Sequence, residues 1–245
     1  MKFPQLHSWP RTPREARQLQ LDFAPRLLLH GSPRSPRLVA GADVAYSPKH
    51  GWLVAAVVLL RRPAKQGEKD WEVVEEVVLK GPVTFPYVPG LLSFREAPVL
   101  LKCFARLPGT PDLVLVDGQG IAHPRGFGLA SHLGLWLDVP TVGCAKSRLV
   151  GEHKEPGDSP GSWTELYYQG KVVGATVRTR SGVKPIFVSP GHRVGLKPAV
   201  RLALLCTAGF RVPEPTRRAD HLAEAAKRQM LDGEGSRSKG RKAQG

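Results

Sequence analysis

Asp43, Asp117 and Glu96 are the residues whose type and setting could do chemistry in this chain. Asp43 lies inside the apolar run LVAGADVAY, residues 38–46, which reads as a strand. An acid there is expensive unless it is paired or binds a cation. Asp117 closes a second short run, Leu113 to Val116, and is followed by the glycine-rich GQGIAHPRGFG. Strand, acid, glycine loop and helix in that order are how an open α/β sheet builds a site, because ligands bind beyond the carboxyl ends of strands and at helix amino termini. An Asp-Gly turn with nothing attached is the plainer reading of this stretch by itself. Glu96 stands three residues after Ser93, spacing that also suits a capping box.

The elements that must position these acids can be read in order. Thr12-Pro13-Arg14-Glu15 opens a helix with an N-cap threonine, a first-turn proline and a capping glutamate, and Pro25 should kink or end it. Leu38–Tyr46, Trp52–Leu60 and Trp71–Leu79 read as three strands, the last two separated by the polar turn RRPAKQGEKD, and such short connections favour an antiparallel meander. GPVTFPYVPG at 81–90 has too many prolines for regular structure. A helix over Phe94–Leu107, the strand at 113–116, a helix over 127–137 and a strand over Thr141–Ala145 follow.

That order, βββαβαβ, predicts an α/β fold: a ribonuclease H-like, mixed five-stranded sheet flanked by helices. Its first and fourth strands are neighbours, so Asp43 and Asp117 should lie side by side. Two carboxylates about 4 Å apart repel by roughly 4 kcal/mol at an effective dielectric near 20. A shared proton or a hard divalent cation such as Mg²⁺ relieves this. Beyond this core, 151–162 reads as an exposed mobile loop, Val172–Thr179 and Lys184–Ser189 as an added hairpin, and Lys197–Thr207 and Thr216–Met230 as helices. The expectation is one domain over 1–230 and a disordered basic tail over 231–245.

The formal net charge of +15 points to a polyanionic partner, nucleic acid above all. Only four of the basic residues, Arg237, Lys239, Arg241 and Lys242, belong to the tail, so the body itself is strongly basic. Three scattered cysteines fit free buried thiols better than disulfides or a zinc site. The longest apolar run is too short to span a membrane, and the amino terminus has no signal-peptide core, so we expect a soluble cytoplasmic protein; a monomer is the separate expectation for its assembly.

Six segments carry a family resemblance: GADVAYS at 41–47, PYVPGLLSFRE at 86–96, LVDGQGIAHPRGFG at 115–128, GCAKSRL at 143–149, SPGHRVGL at 189–196 and PEPTRRADHLA at 213–223. Together they resemble endonuclease V, the deoxyinosine-directed repair nucleases. The resemblance implies Mg²⁺-dependent cleavage (Mn²⁺ as an alternative) of DNA containing deoxyinosine, at the second phosphodiester bond 3′ to the lesion, leaving 3′-hydroxyl and 5′-phosphate ends. It also leaves open inosine in RNA as the substrate. A non-catalytic nucleic-acid binder is the more distant alternative.

By the same resemblance, Asp43, Asp117 and Glu96 are the metal-binding acids, and Tyr87 is a wedge that fills the gap left by an everted base. Flanking prolines suit that task by stiffening the loop. Pro86, Val88, Pro89, Gly90, Leu91, Gly118, Gly120 and Ile121 would form the base pocket, where main-chain donors could read the 6-oxo group of hypoxanthine. Lys146, ending a strand beside the acids, could neutralise the transferring phosphate. His221 would orient water or a metal ligand, and His123 would touch phosphate. Gln119 departs from the family pattern, where His or Asn is frequent.

Overall fold

A computed structural model describes residues 1–63 and 70–242, with side chains to Gly233. The polar turn expected between the second and third strands therefore lies largely outside the described residues.

The expected core is present. Strands β1 (Leu38–Ser47), β2 (Trp52–Arg61) and β3 (Glu72–Pro82) form an antiparallel meander, and β4 (Leu113–Val116) and β5 (Thr141–Ala145) add in parallel beside β1. Helix α1 (Pro13–Phe23) starts at Thr12, whose Oγ1 accepts from Glu15 N at 3.2 Å, while Glu15 Oε2 accepts from Arg11 N. Helices α2 (Ser93–Ala105) and α3 (Leu129–Leu137) cover one face of the sheet.

Strand alternation divides the core into two layers. Ala40, Ala42, Val114 and Val116 face α2 and α3, whereas Val39, Leu113 and Leu115 face α4 (Leu196–Leu205) and α5 (Glu214–Lys242). Gly41 is what lets α5 approach so closely: a Cβ there would meet the Pro215 carbonyl oxygen at 1.9 Å.

The structure departs from the expectation in three places. The sheet has nine strands, in the order β3-β2-β1-β4-β5-β9-β8-β7-β6, because the added hairpin, β8 (Lys171–Val177) and β9 (Ile186–His192), bonds onto β5 through β9. Two strands were not expected: β7 (Trp163–Tyr168), and β6 (Glu152–His153) within the stretch read as an exposed loop. Their polar, half-exposed residues conceal the apolar alternation that marks a strand. Finally, α5 continues past Met230 to Lys242, through most of the stretch read as a disordered tail; 243–245 lie outside the described residues. No helix among the described residues is long and apolar enough to cross a membrane.

Candidate active site

The acids meet at the end of the β1–β4 pair. Ala42 is in register with Val116, and Asp117 N donates to Ala42 O at 3.2 Å, so Asp43 and Asp117 occupy the next positions on neighbouring strands. Burial, then the charge of Asp117, pushes the Asp43 carboxyl up to about 8. Glu96 arrives from the first turn of α2 and is 6 % exposed. Its carboxyl is also raised to about 8, by burial first and by Asp117 in addition, against the hydrogen bond that Tyr46 Oη donates to its Oε1 at 2.9 Å. The capping-box alternative is not realised: α2 has Leu92 at its N-cap with no side-chain bond, and buried Ser93 Oγ has no partner among the described residues.

Positive charge enters through Lys146, just beyond β5. Its Nζ lies 2.7 Å from Asp117 Oδ2 and 2.9 Å from Asp220 Oδ2. Burial acts to lower the ammonium's pKa, but the two carboxylates outweigh it and hold Lys146 protonated. Asp220 is a site residue that the sequence reading missed. His221, expected here, is exposed and its Nδ1 lies 3.3 Å from Arg217 Nη1. Helical phase explains the exchange. Thr216, Ala219 and Ala223 mark the buried face of α5; Asp220 borders that face, and His221 is turned about 200° from Ala219.

A cavity of about 410 Å³ opens beside these acids, and Asp117 lines it together with Lys146. Tyr87, Val88, Pro89, Gly90, Gly118 and His123 of the expected pocket residues line it too. Pro86 is exposed outside it, Leu91 is fully buried beneath the loop, and Ile121 packs toward Phe23 and Phe127. Gly120 also lies behind the cavity, its N–H donating to Ser189 Oγ at 2.8 Å. Tyr87 is 74 % exposed, with the Arg95 guanidinium 5.5 Å from its ring centre, so it does not staple its own loop. His123 is buried, and its Nε2 donates to Gly90 O at 2.8 Å instead of facing solvent.

The sequence model of the endonuclease V family covers residues 22–221. The chain belongs to the endonuclease V family. Endonuclease V of Dehalococcoides mccartyi strain BAV1 is 48% identical over 225 residues, 92% of this chain and 98% of that one. The crystal structure of endonuclease V from Streptomyces avermitilis is 44% identical, with a TM-score of 0.84 over 91% of this chain and 96% of that one. Endonuclease V from Ciona intestinalis, 26% identical with a TM-score of 0.75 over 89% of this chain and 98% of that one, was crystallised with a 24mer DNA containing an inosine followed by a ribo-adenosine. This chain is accordingly a nuclease, a phosphodiester hydrolase of a metal-dependent family with a ribonuclease H-like fold.

As the side chains stand, no group of three His, Cys, Asp or Glu among the described residues surrounds a common ion position; the cation touching Asp117 is the Lys146 ammonium. The donor chemistry nonetheless fits a hard cation. Asp43, Asp117 and Glu96 offer carboxylate oxygens only, and two of them are buried with too little positive charge beside them.

Proposed function

We propose that this endonuclease V family member cleaves the DNA strand carrying deoxyinosine, at the second phosphodiester bond on its 3′ side, in the presence of Mg²⁺. The observation that carries the reading is that Asp117 belongs both to the acid cluster and to the wall of the cavity. A base held there would bring its own strand past the acids. The Ciona relative with inosine-containing DNA supports the same lesion. Mn²⁺ could replace Mg²⁺ on the same oxygen ligands.

Asp43 and Asp117, with Glu96, would hold the ion, whose chemistry is to lower the pKa of water for attack at phosphorus and to stabilise the leaving oxygen. Lys146, kept protonated by its two acids, supplies a fixed positive charge for a phosphate oxygen. Tyr87 stands at the mouth, free to take the place of an everted base in the stack. The walls then read the base. Main-chain donors of the glycine loops suit the 6-oxo group of hypoxanthine, and a close wall at the position of guanine's 2-amino group excludes guanine. Enlarging or trimming those wall residues should change the inosine-over-guanosine ratio. The three free, buried cysteines favour a reducing compartment such as the cytoplasm.

The test is an end-labelled duplex with one inosine, incubated with and without Mg²⁺, and the nick mapped. Cleavage two bonds 3′ to the inosine, and only with the ion, is expected; metal-independent or lesion-independent nicking overturns the reading. The ribo-adenosine in the Ciona complex favours a second substrate, inosine in RNA, and matched RNA oligonucleotides measure it in the same assay.

A further inference from the structure

Gln20 lies in the middle of α1, outside all six family-like segments, and is completely buried. A buried amide must find partners for both ends, and this one finds them in the two loops that wall the cavity. Its Nε2 donates to Gly90 O and to Phe127 O, each at 3.0 Å. Its Oε1 accepts from Arg125 Nε. With two carbonyls on one side and a guanidinium on the other, the orientation of the amide is unambiguous.

Gly90 closes the Val88–Leu91 turn, in which Leu91 N donates to Val88 O at 2.9 Å. Pro89 followed by Gly90 with φ +76° is the type II arrangement, and this tight turn follows directly on Tyr87. The Gly90 carbonyl also accepts from His123 Nε2 and Arg125 Nη2, at 2.8 Å each. Phe127 immediately precedes Gly128, which lines the cavity and is the N-cap of α3. One side chain therefore ties the turn behind Tyr87 to the glycine loop that follows Asp117, from behind the cavity.

We infer that Gln20 is a positioning residue for lesion recognition: its amide fixes the spacing between the Tyr87 turn and the glycine loop, and so the width of the base pocket. This rests on the base-pocket reading above. Lesion binding should then depend on Gln20, whereas chemistry at the acids, which Gln20 does not touch, should not.

Three variants separate this from general support of α1. Gln20→Met fills the volume and gives up all three bonds. Gln20→Glu keeps Arg125 as a partner but sets a carboxylate oxygen against two carbonyls. Thr12→Ala loosens the same helix at its cap without touching the loops. With melting curves confirming folded protein, steady-state cleavage in Mg²⁺ should show KM for the inosine duplex raised about tenfold in both Gln20 variants, the cost of roughly one hydrogen bond's worth of ordering. Preference over an undamaged duplex should fall by the same factor. kcat should stay within about twofold, and Thr12→Ala should leave KM unchanged.

Unchanged KM and preference in folded Gln20 variants, a fall in kcat at constant KM, or the same KM effect in Thr12→Ala each overturns the inference. If only one Gln20 variant folds, it decides. Failure of both to fold also overturns it, because the amide would then serve the fold. Wild-type protein that nicks inosine and undamaged duplexes equally sinks the function reading itself, an outcome seen before any variant is compared.

Discussion

On one side of Asp117, Asp43 and Glu96 are acids held out of water with pKa values raised to about 8. On the other, the loops walling the cavity have their buried polar groups paired: Gly90 O accepts from Gln20, His123 and Arg125, and Gly120 N donates to Ser189 Oγ. The acid half carries electrostatic stress that added positive charge would relieve. The loop half is satisfied apart from Ser93 Oγ, which lines the cavity from the start of α2 without a partner among the described residues. Stress at the acids suits a place where a cation and a charged reaction must be bound, and satisfaction at the loops suits a wall that must keep its shape.

The sharpest way to break this contrast is to remove stress from the acid half. Asp43→Asn and Asp117→Asn should lower single-turnover cleavage by about 10³-fold or more, a loss of several kcal/mol of transition-state stabilisation. Duplex affinity, measured by gel shift, should change little. For Asp43 the pH dependence of metal-free stability gives an independent reading. Its folded value of about 8 lies above the ordinary 3.8, so the folded protein binds the proton more tightly than the unfolded chain. Stability should therefore fall as pH rises from about 4 towards about 8, and Asp43→Asn should flatten that slope in melting experiments. A variant that melts lower than wild type at pH 8 would show the acid to be well accommodated.

Smaller effects are expected from one residue on each side. Tyr46→Phe removes the hydroxyl that donates to Glu96, a bond to a buried acid worth about 1.5–3 kcal/mol, and should slow cleavage roughly tenfold. Because that bond lowers the Glu96 pKa, its loss should also move the acidic limb of the rate profile upward. Tyr87→Ala, at an exposed position, should leave the melting temperature and the saturated rate nearly unchanged, yet reduce inosine selectivity about tenfold. A large rate loss in Tyr87→Ala would mean that the two halves are not separable.

The acid half was the more legible in the sequence. An acid inside an apolar strand and another at a strand end are conspicuous, and the βββαβαβ order is enough to bring them together; the β1–β4 register does so. Asp220 is within reach through helical phase, one position from the His221 that the family likeness indicates. The loop half was legible only as a list of small residues. Nothing in the sequence shows that Leu91 and Gly120 lie behind the cavity, or that Gln20, about 70 residues before Gly90, holds that loop, since such contacts depend on tertiary placement. Tyr46 was hidden for the same reason: its pairing with Glu96 crosses from β1 to α2.

The smallest expected effect is nearly none, and it tests the loop half most directly. His123 donates from Nε2 to Gly90 O, and its Nδ1 accepts from Arg125 N at 3.2 Å, so the neutral ring with one fixed tautomer satisfies both partners. Burial lowers its pKa to about 4, from an ordinary 6.5. A lowered histidine contributes stability that is complete above the unfolded value and lost as pH falls towards the folded one. Between about pH 6.5 and 8 the ring does not titrate, and the loop it pins should keep its shape. The affinity for inosine duplex of a catalytically silent protein carrying Asp43→Asn, Glu96→Gln and Asp117→Asn, in which neither raised acid is left to titrate in that window, should therefore vary by less than about twofold across that range, at constant salt because phosphate contacts are salt-sensitive. Below about pH 5 the affinity should weaken as the imidazolium loses its acceptor nitrogen and the Arg125 N–H its partner. A binding midpoint near 6.5 would instead mean that His123 titrates as an exposed ring, and that the turn behind Tyr87 is held less firmly than its hydrogen bonds indicate.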